Sequence, residues 1–177
     1  MPVVSPMTTA DLDEIVTLER QCFKDPWSRR MYQTDLMHND LATYLVLRPG
    51  IVGPAPVLAY GGFWLLADEA HIATLASHPV WRGCGLGQWM LVALLDAARE
   101  RGAALATLEV RRSNVVAQRL YEKLSFATVG RRIHYYRDGE DGLIMTSPRL
   151  DDPVMRAQLE TARVDAVARA AHCFTTD

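Results

Sequence analysis

The sequence predicts an α/β domain, and three observations carry that reading. Runs rich in apolar and β-branched residues, the mark of strands, alternate with segments whose apolar side chains recur at helical spacing. A glycine-rich run, Arg82-Gly83-Cys84-Gly85-Leu86-Gly87, joins one such strand to a long amphipathic helix. At 177 residues the chain suffices for one domain burying roughly 70% of its unfolded surface, and is short for two.

The elements follow in order. Thr8 and Thr9, with Asp11 and Glu14 behind them, put capping oxygens and acids ahead of Leu12, Ile15, Val16 and Leu18, so a first helix is expected to about Cys22. Asp25-Pro26-Trp27-Ser28 breaks it, and Ser28 caps a second helix to about Asn39. Ala42–Arg48 is strand-like. Pro49-Gly50, Gly53-Pro54 and Pro56 form a loop into the strand Val57–Leu66, and the two strands read as an antiparallel pair. Glu69–Ser77 is the next strand. After the glycine run, Leu86, Met90, Ala93, Leu94 and Ala97 form the stripe of a helix packed on a sheet, ended by Gly102. Ala104–Val110 is a strand, Ser113 or Asn114 caps a helix through Leu124, and strands are expected at Ala127–Tyr136 and Leu143–Leu150. Asp151-Asp152-Pro153 opens a last helix to about Ala171, an appendage to the domain, since proline suits the first helical position behind an acidic cap.

Composition narrows the function. A net charge of -2 supplies no basic field for nucleic-acid phosphates, so nucleic acid is not expected as a direct ligand. Cys22, Cys84 and Cys173 are odd in number, far apart and without CxxC spacing, which argues against a disulfide framework and against a zinc or other metal site. A reducing cytoplasm is the expected compartment. Pro2, Pro6, Asp11 and Asp13 stand where a signal peptide would carry a basic start and an apolar stretch, and the longest apolar run, Trp89–Leu95, is too short to span a bilayer. A soluble, unexported protein without membrane contact is expected, and nothing in the sequence fixes an oligomeric state.

Three glycines in five positions leave backbone N–H groups uncovered, and the following helix adds the positive end of its dipole, so the run is suited to a phosphate or pyrophosphate. A tight turn with no ligand is the plainer reading. A dinucleotide fingerprint is a second rival, with Glu109 as the ribose-binding acid. Against it, Gln88 stands at the third glycine position, Ser77–Trp81 separate the strand from the first glycine, and no further βαβ alternation follows.

The pattern of Arg82, Gly85 and Gly87 resembles the R/Q-x-x-G-x-G/A signature of the GNAT acetyltransferases. Three further segments resemble the RimI-like branch, which acetylates the N-terminal alanine of a small-subunit ribosomal protein: Phe23-Lys24-Asp25-Pro26-Trp27-Ser28; Leu108-Glu109-Val110-Arg111-Arg112-Ser113-Asn114 continuing to Leu120-Tyr121; and Tyr135-Tyr136 with Glu140-Asp141 and Met145. Together they cover nearly everything from Met7 to Leu150. The resemblance implies a GNAT fold, a mixed and mostly antiparallel sheet flanked by helices and splayed between the strands ending at Ser77 and Val110. Residues 1–150 would form the acetyltransferase domain and 151–177 a C-terminal helical extension with no counterpart in the minimal family domain.

The resemblance also implies acetyl-CoA as co-substrate, no metal, and a protein N-terminus as acceptor. Leu75, Ala76 and Ser77 would line the pantetheine arm and polarise the thioester carbonyl. Arg82, Gly83, Cys84, Gly85, Leu86, Gly87 and Gln88 would hold the pyrophosphate, with Asn114 a further cofactor contact. Glu109 would be the general base, acting through water, and Tyr121 the acid that protonates the departing thiolate; Trp27, Tyr135 and Tyr136 would wall the peptide groove. The chemistry suits these types. An amine attacks only as the free base, and an α-amine of pKa ~8 against ~10.4 for lysine gives up its proton near neutral pH at a cost about 3 kcal/mol lower. A phenol of pKa ~10 can protonate a developing thiolate.

Each residue also has a plain role open to it. Glu109 could be a surface carboxylate paired with Arg111 or Arg112, Tyr121 a half-buried core residue, Asn114 a helix cap, Trp27 core packing and Cys84 a small filler; His71 and His78 are assigned no role. Ser125, Gly142 and His134 depart from the resembled pattern, and a left-handed backbone at Ser125 would cost ~1 kcal/mol. Two other functions remain open: acetylation of lysine side chains or small amines, and a non-catalytic acyl-CoA-binding module.

Overall fold

A computed structural model describes residues 1–50 and 55–174; the loop expected at Gly53-Pro54 lies outside the described residues. The elements are β1 (Pro2–Pro6), α1 (Leu12–Cys22), α2 (Arg29–His38), β2 (Ala42–Pro49), β3 (Ala59–Leu66), β4 (Glu69–Ser77), α3 (Leu86–Glu100), β5 (Leu105–Arg111), α4 (Val115–Lys123), β6 (Ala127–Arg132), β7 (Gly142–Thr146) and α5 (Pro153–Phe174). The strands form one sheet in the order β1-β2-β3-β4-β5-β7-β6, antiparallel throughout except between β4 and β5.

The caps read from the sequence are in place. The Thr8 amide donates to the Asp11 carboxylate at 2.7 Å at the head of a short 3-10 turn leading into α1. Ser28 Oγ accepts the Met31 amide at the start of α2, and Asn114 Oδ1 accepts the Ala117 amide at the start of α4. Three outcomes differ from the expected elements. A strand precedes α1, because Pro2–Pro6 pairs with Leu45–Pro49; β6 stops at Arg132, since His134 turns into a left-handed φ of 52°; and β7 ends at Thr146 rather than Leu150.

Two apolar clusters cover the two faces of the sheet. Below α1 and α2 lie Leu12, Ile15, Leu18, Tyr32, Tyr44, Val46, Tyr60 and Ala76; below α3 and α4 lie Leu47, Phe63, Ala70, Ile72, Leu91, Leu94, Leu108, Val110 and Tyr121. Each fully buried Leu or Phe contributes roughly 1.5–3 kcal/mol. The C-terminal helix belongs to the second cluster and is no loose appendage: Met155, Leu159, Ala162 and Ala170 are buried in it, and α5 packs on α3.

Two local features shape what lies between the faces. The β3–β4 register passes from Gly62↔Thr74 to Phe63↔Ile72, so Ala73 is an extra residue in β4. The bulge exchanges faces. Before it Ala70 and Ile72 point to α3; after it Ala76 points to α1 and Thr74 meets Glu19. The second feature is the short β4–β5 ladder, Glu69↔Leu105 to His71↔Thr107, after which the strands part. The turn at Ser125, where the chain departs from the resembled pattern, is left-handed with φ 61°, and its hydroxyl donates to Gln158 of α5 at 2.9 Å.

Glu19 of α1, 1% exposed, is the polar centre of the first cluster. Its carboxylate accepts from the Tyr32, Tyr60 and Thr74 hydroxyls and from the Trp27 amide. Glu19→Ala leaves three buried hydroxyls and the part-buried Trp27 amide without this acceptor and is expected to lower unfolding stability by about 3 kcal/mol or more, read from the urea midpoint, with Glu19→Gln losing less.

Candidate active site

The parting of β4 and β5 opens a notch whose walls are the free edge of β4 beyond His71 and the end of β5, which stays paired to β7 as far as Arg111. A cavity of about 700 Å³ lies there. Leu75, Ala76 and Ser77 form its β4 side, and Arg82, Gly83, Gly85, Leu86, Gly87 and Gln88 its floor, at the N-terminus of α3. Asn114 and Tyr121 close it from α4, as two residues two helical turns apart should.

The floor has the features of an anion cradle. Gly83 and Gly85 have φ of 85° and 80°, and Gly85 at the N-cap offers α3 no side chain, so among the described residues no cap bond occupies its first amides. Gly85 meets a second demand: a Cβ there would stand 2.9 Å from the carbonyl oxygen of Ala166 in α5. Three cations that the sequence reading did not single out, Arg119, Lys123 and Arg169, join Arg82 around the cavity. Arg169 comes from α5, donates to Gln88 Oε1 at 2.7 Å and pairs with Asp165. Gln88, 3% exposed, turns its side chain to Ala162, Asp165 and Arg169, so what it can offer the cavity is main chain.

Cys84 corrects the cysteine reading. It is bonded to Cys173 in a disulfide closing 89 residues of chain, with the Trp81 and Phe174 rings in contact beside it. The bond ties the last turn of α5 to the glycine loop. Wide spacing in sequence was no obstacle, because the helix returns along α3.

Glu109 also has other partners than expected. Its side chain is 7% exposed, and neither Arg111 nor Arg112 holds it. His71 Nε2 lies 2.9 Å from Oε2, and Arg132 Nε lies 3.0 Å from Oε1. Burial alone would raise the carboxyl pKa; the hydrogen bonds and charges of His71 and Arg132 outweigh it and hold the group below its ordinary range. His71, assigned no role from sequence, is therefore part of this centre. Arg111 is engaged with Asp25, Asp138 and Glu140, and lies over the Tyr136 ring at 4.0 Å.

The aromatic residues gather on the α1–α2 side of the notch. Trp27 stacks on Trp64, and Trp64 on His71, with ring centroids 5.7 and 6.0 Å apart. Tyr135 and Tyr136 meet edge to face, and Arg132 lies over Tyr135. Tyr121 is 8% exposed beside Phe126, and its burial pushes the phenol pKa up, well above the ordinary value. Thus Tyr135 and Tyr136 meet the β5 side through Arg132 and Arg111, Trp27 lies over Trp64 of β3, and Tyr121 and Asn114 line the cavity with the loop. Asn114 fulfils its capping role in either case. Aligning the two parallel strands from Glu69 and Leu105 would have brought His71 opposite Thr107, next to Glu109; Arg132 and Trp64 carry no comparable signal.

Two outcomes follow. In denaturant the chain should show one titratable thiol, Cys22, before reduction and three after it, and Cys173→Ser should cost up to about 4–5 kcal/mol by loop-closure entropy, read as a lower Tm. Because the folded Glu109 carboxyl sits below the ordinary value of 4.5, its stabilisation is complete above that pH and lost as pH falls through the folded value. Glu109→Gln should therefore flatten the acid end of the Tm–pH curve.

Comparison with known proteins shows the family and the fold. Residues 12–126 match the family described as "Acetyltransferase (GNAT) family". The chain is 35% identical over 140 residues to a protein of Bacillus subtilis (strain 168), covering 78% of this chain and 90% of that one. It is 32% identical over 151 residues to the ribosomal protein bS18-alanine N-acetyltransferase of Escherichia coli (strain K12), covering 84% and 98%. Among solved structures, the ribosomal-protein-S18-alanine N-acetyltransferase from Escherichia coli superposes with a TM-score of 0.73 at 31% identity, over 84% of this chain and 94% of that one.

Proposed function

The chain belongs to the acetyltransferase (GNAT) family, and on that footing we propose that it moves an acetyl group from acetyl-CoA to the α-amine of a protein N-terminus, an alanine of a small-subunit ribosomal protein. The observation that carries this is the notch: one cavity joins an uncapped helix N-terminus to the free edge of a strand and to a buried phenol, and β5, the strand that parts from that edge, carries the Glu109 carboxylate. The named activity of the Escherichia coli relative, 32% identical over 98% of its length, supports the acceptor.

The residues divide the work. Loop amides from Gly83 to Gln88 face the pyrophosphate, and Arg82, Arg119, Lys123 and Arg169 supply positive charge around it. The β4 edge at Leu75–Ser77 pairs with the pantetheine amides and polarises the thioester carbonyl. Tyr121, kept protonated by burial, donates its proton to the leaving sulfur. The Glu109 centre serves the acceptor amine, and Trp27, Tyr135 and Tyr136 hold the first residues of the peptide. On this reading the ribosomal acceptor puts the reaction in the cytoplasm, and no step of it calls on a metal.

Peptides beginning with alanine, serine or methionine, and one with only an internal lysine, should be incubated with acetyl-CoA and the site of label found by mass spectrometry. Transfer to the α-amine is expected; transfer confined to lysine would replace this reading with side-chain acetylation, and binding of acetyl-CoA with no transfer to any amine would leave a binding module. Tyr121→Phe is expected to lower kcat by about 100-fold, with the acetyl-CoA KM little changed.

A further inference from the structure

We propose that His71 is the group that takes the proton from the incoming amine, and that Glu109 acts behind it as the carboxylate that orients the imidazole. The inference rests on the acetyl-transfer reading above and changes the identity of its proton acceptor.

Both oxygens of Glu109 are in use, one by His71 Nε2 at 2.9 Å and one by Arg132 Nε at 3.0 Å, and the side chain is 7% exposed. A buried carboxylate satisfied on both oxygens and held below its ordinary range has little tendency to collect a proton from an ammonium of pKa ~8. His71 is better placed. It is the last β4 residue still paired with β5, at the vertex of the notch, and its side chain is 24% exposed. With Nε2 committed to Glu109, Nδ1 is the ring atom left to accept a proton, and the carboxylate behind stabilises the imidazolium that results.

The bulge at Ala73 matters here. Ala70 and Ile72 point into the cluster beneath α3, so His71 between them points to the opposite face, where Trp64 stacks on it and Trp27 stacks on Trp64. Asp35 of α2 fixes the Trp64 indole N–H at 2.8 Å. The charged groups around the ring are Glu109 of β5 and, behind it, Arg132 of β6; Asp35 is engaged by Trp64 and Tyr44.

The step balances as follows. His71 Nδ1 takes one proton from the ammonium and later releases it to solvent. The freed nitrogen lone pair forms the C–N bond at the thioester carbonyl carbon, the C–S bond breaks with its electron pair on sulfur, and Tyr121 protonates the sulfur. The second proton lost from nitrogen replaces, through solvent, the one that Tyr121 gave.

The test is the pH dependence of kcat and kcat/KM for wild type, His71→Ala, His71→Gln and Glu109→Gln with acetyl-CoA and an alanine-first peptide, and of His71→Ala with added imidazole. Expected are a kcat loss of roughly 100-fold or more in both His71 variants, an unchanged acetyl-CoA KM, loss of the acid limb of the profile, and partial rescue by imidazole. A His71 variant that keeps the wild-type profile overturns the proposal, whatever its rate, and leaves Glu109 as the acceptor. Independently of any variant, histidine-labelled protein should show His71 by 15N NMR as the Nε2–H tautomer; the Nδ1–H tautomer would turn its lone pair toward Glu109 and overturn the assignment. If wild type acetylates only lysine, the α-amine reading fails while the His71 profile is still decisive with that substrate. If it acetylates nothing, both fall.

Discussion

Everything at the site depends on the failure of β4 and β5 to stay paired. Parallel pairing holds for three residues and stops at His71. Beyond that point each strand keeps its outer neighbour, β3 on one side and β7 on the other, so the sheet loses no strand while exposing two inner edges. Unpaired main-chain groups inside a protein are costly unless they meet a partner. A notch with one peptide-like edge therefore suits a ligand carrying amides, and the glycine loop at the same end suits one carrying phosphates. The bulge at Ala73 completes the arrangement by turning the β4 side chains over within the notch.

The C-terminal helix stiffens the loop from outside. Its alanines 162, 166 and 170 let it approach α3 closely, Gly85 lacks the Cβ that would collide with Ala166, and the Cys84–Cys173 bond fixes its end to the loop. Gln88 and Arg169 join the two through hydrogen bonds. The loop is thereby held from both sides, by α3 that it opens and by α5 that covers it. Preorganised amides lose less on binding an anion than amides that must first be ordered.

Much of this was legible in the chain because local rules agreed with the fold. The helix caps at Ser28 and Asn114, the stripe of α3 and the glycine loop each follow from short-range chemistry, whereas the left-handed turn at Ser125 was raised only by the family resemblance. What escaped was long-range. Pro2–Pro6 pairs with a strand some forty residues on and carries no hairpin signal; Cys84 and Cys173 meet only because α5 folds back along α3; His71 reaches Glu109 through the register of two strands separated by a helix. Arg132 stands at the very end of a strand, where the sequence gives no sign of its direction.

The two ends of the site show how one notch can keep an acid and a base apart. Tyr121 is buried, so desolvation penalises its phenolate and the proton stays on. Glu109 also loses water at its side chain, yet His71 and Arg132 compensate and the charge stays on. The same kind of penalty thus yields opposite protonation states, and the difference is made by His71 of β4 and Arg132 of β6. Were Arg132 the sole partner of Glu109, the carboxylate would be a charge bound in a surface pair. With His71 on its other oxygen, it becomes the fixed end of the proposed relay.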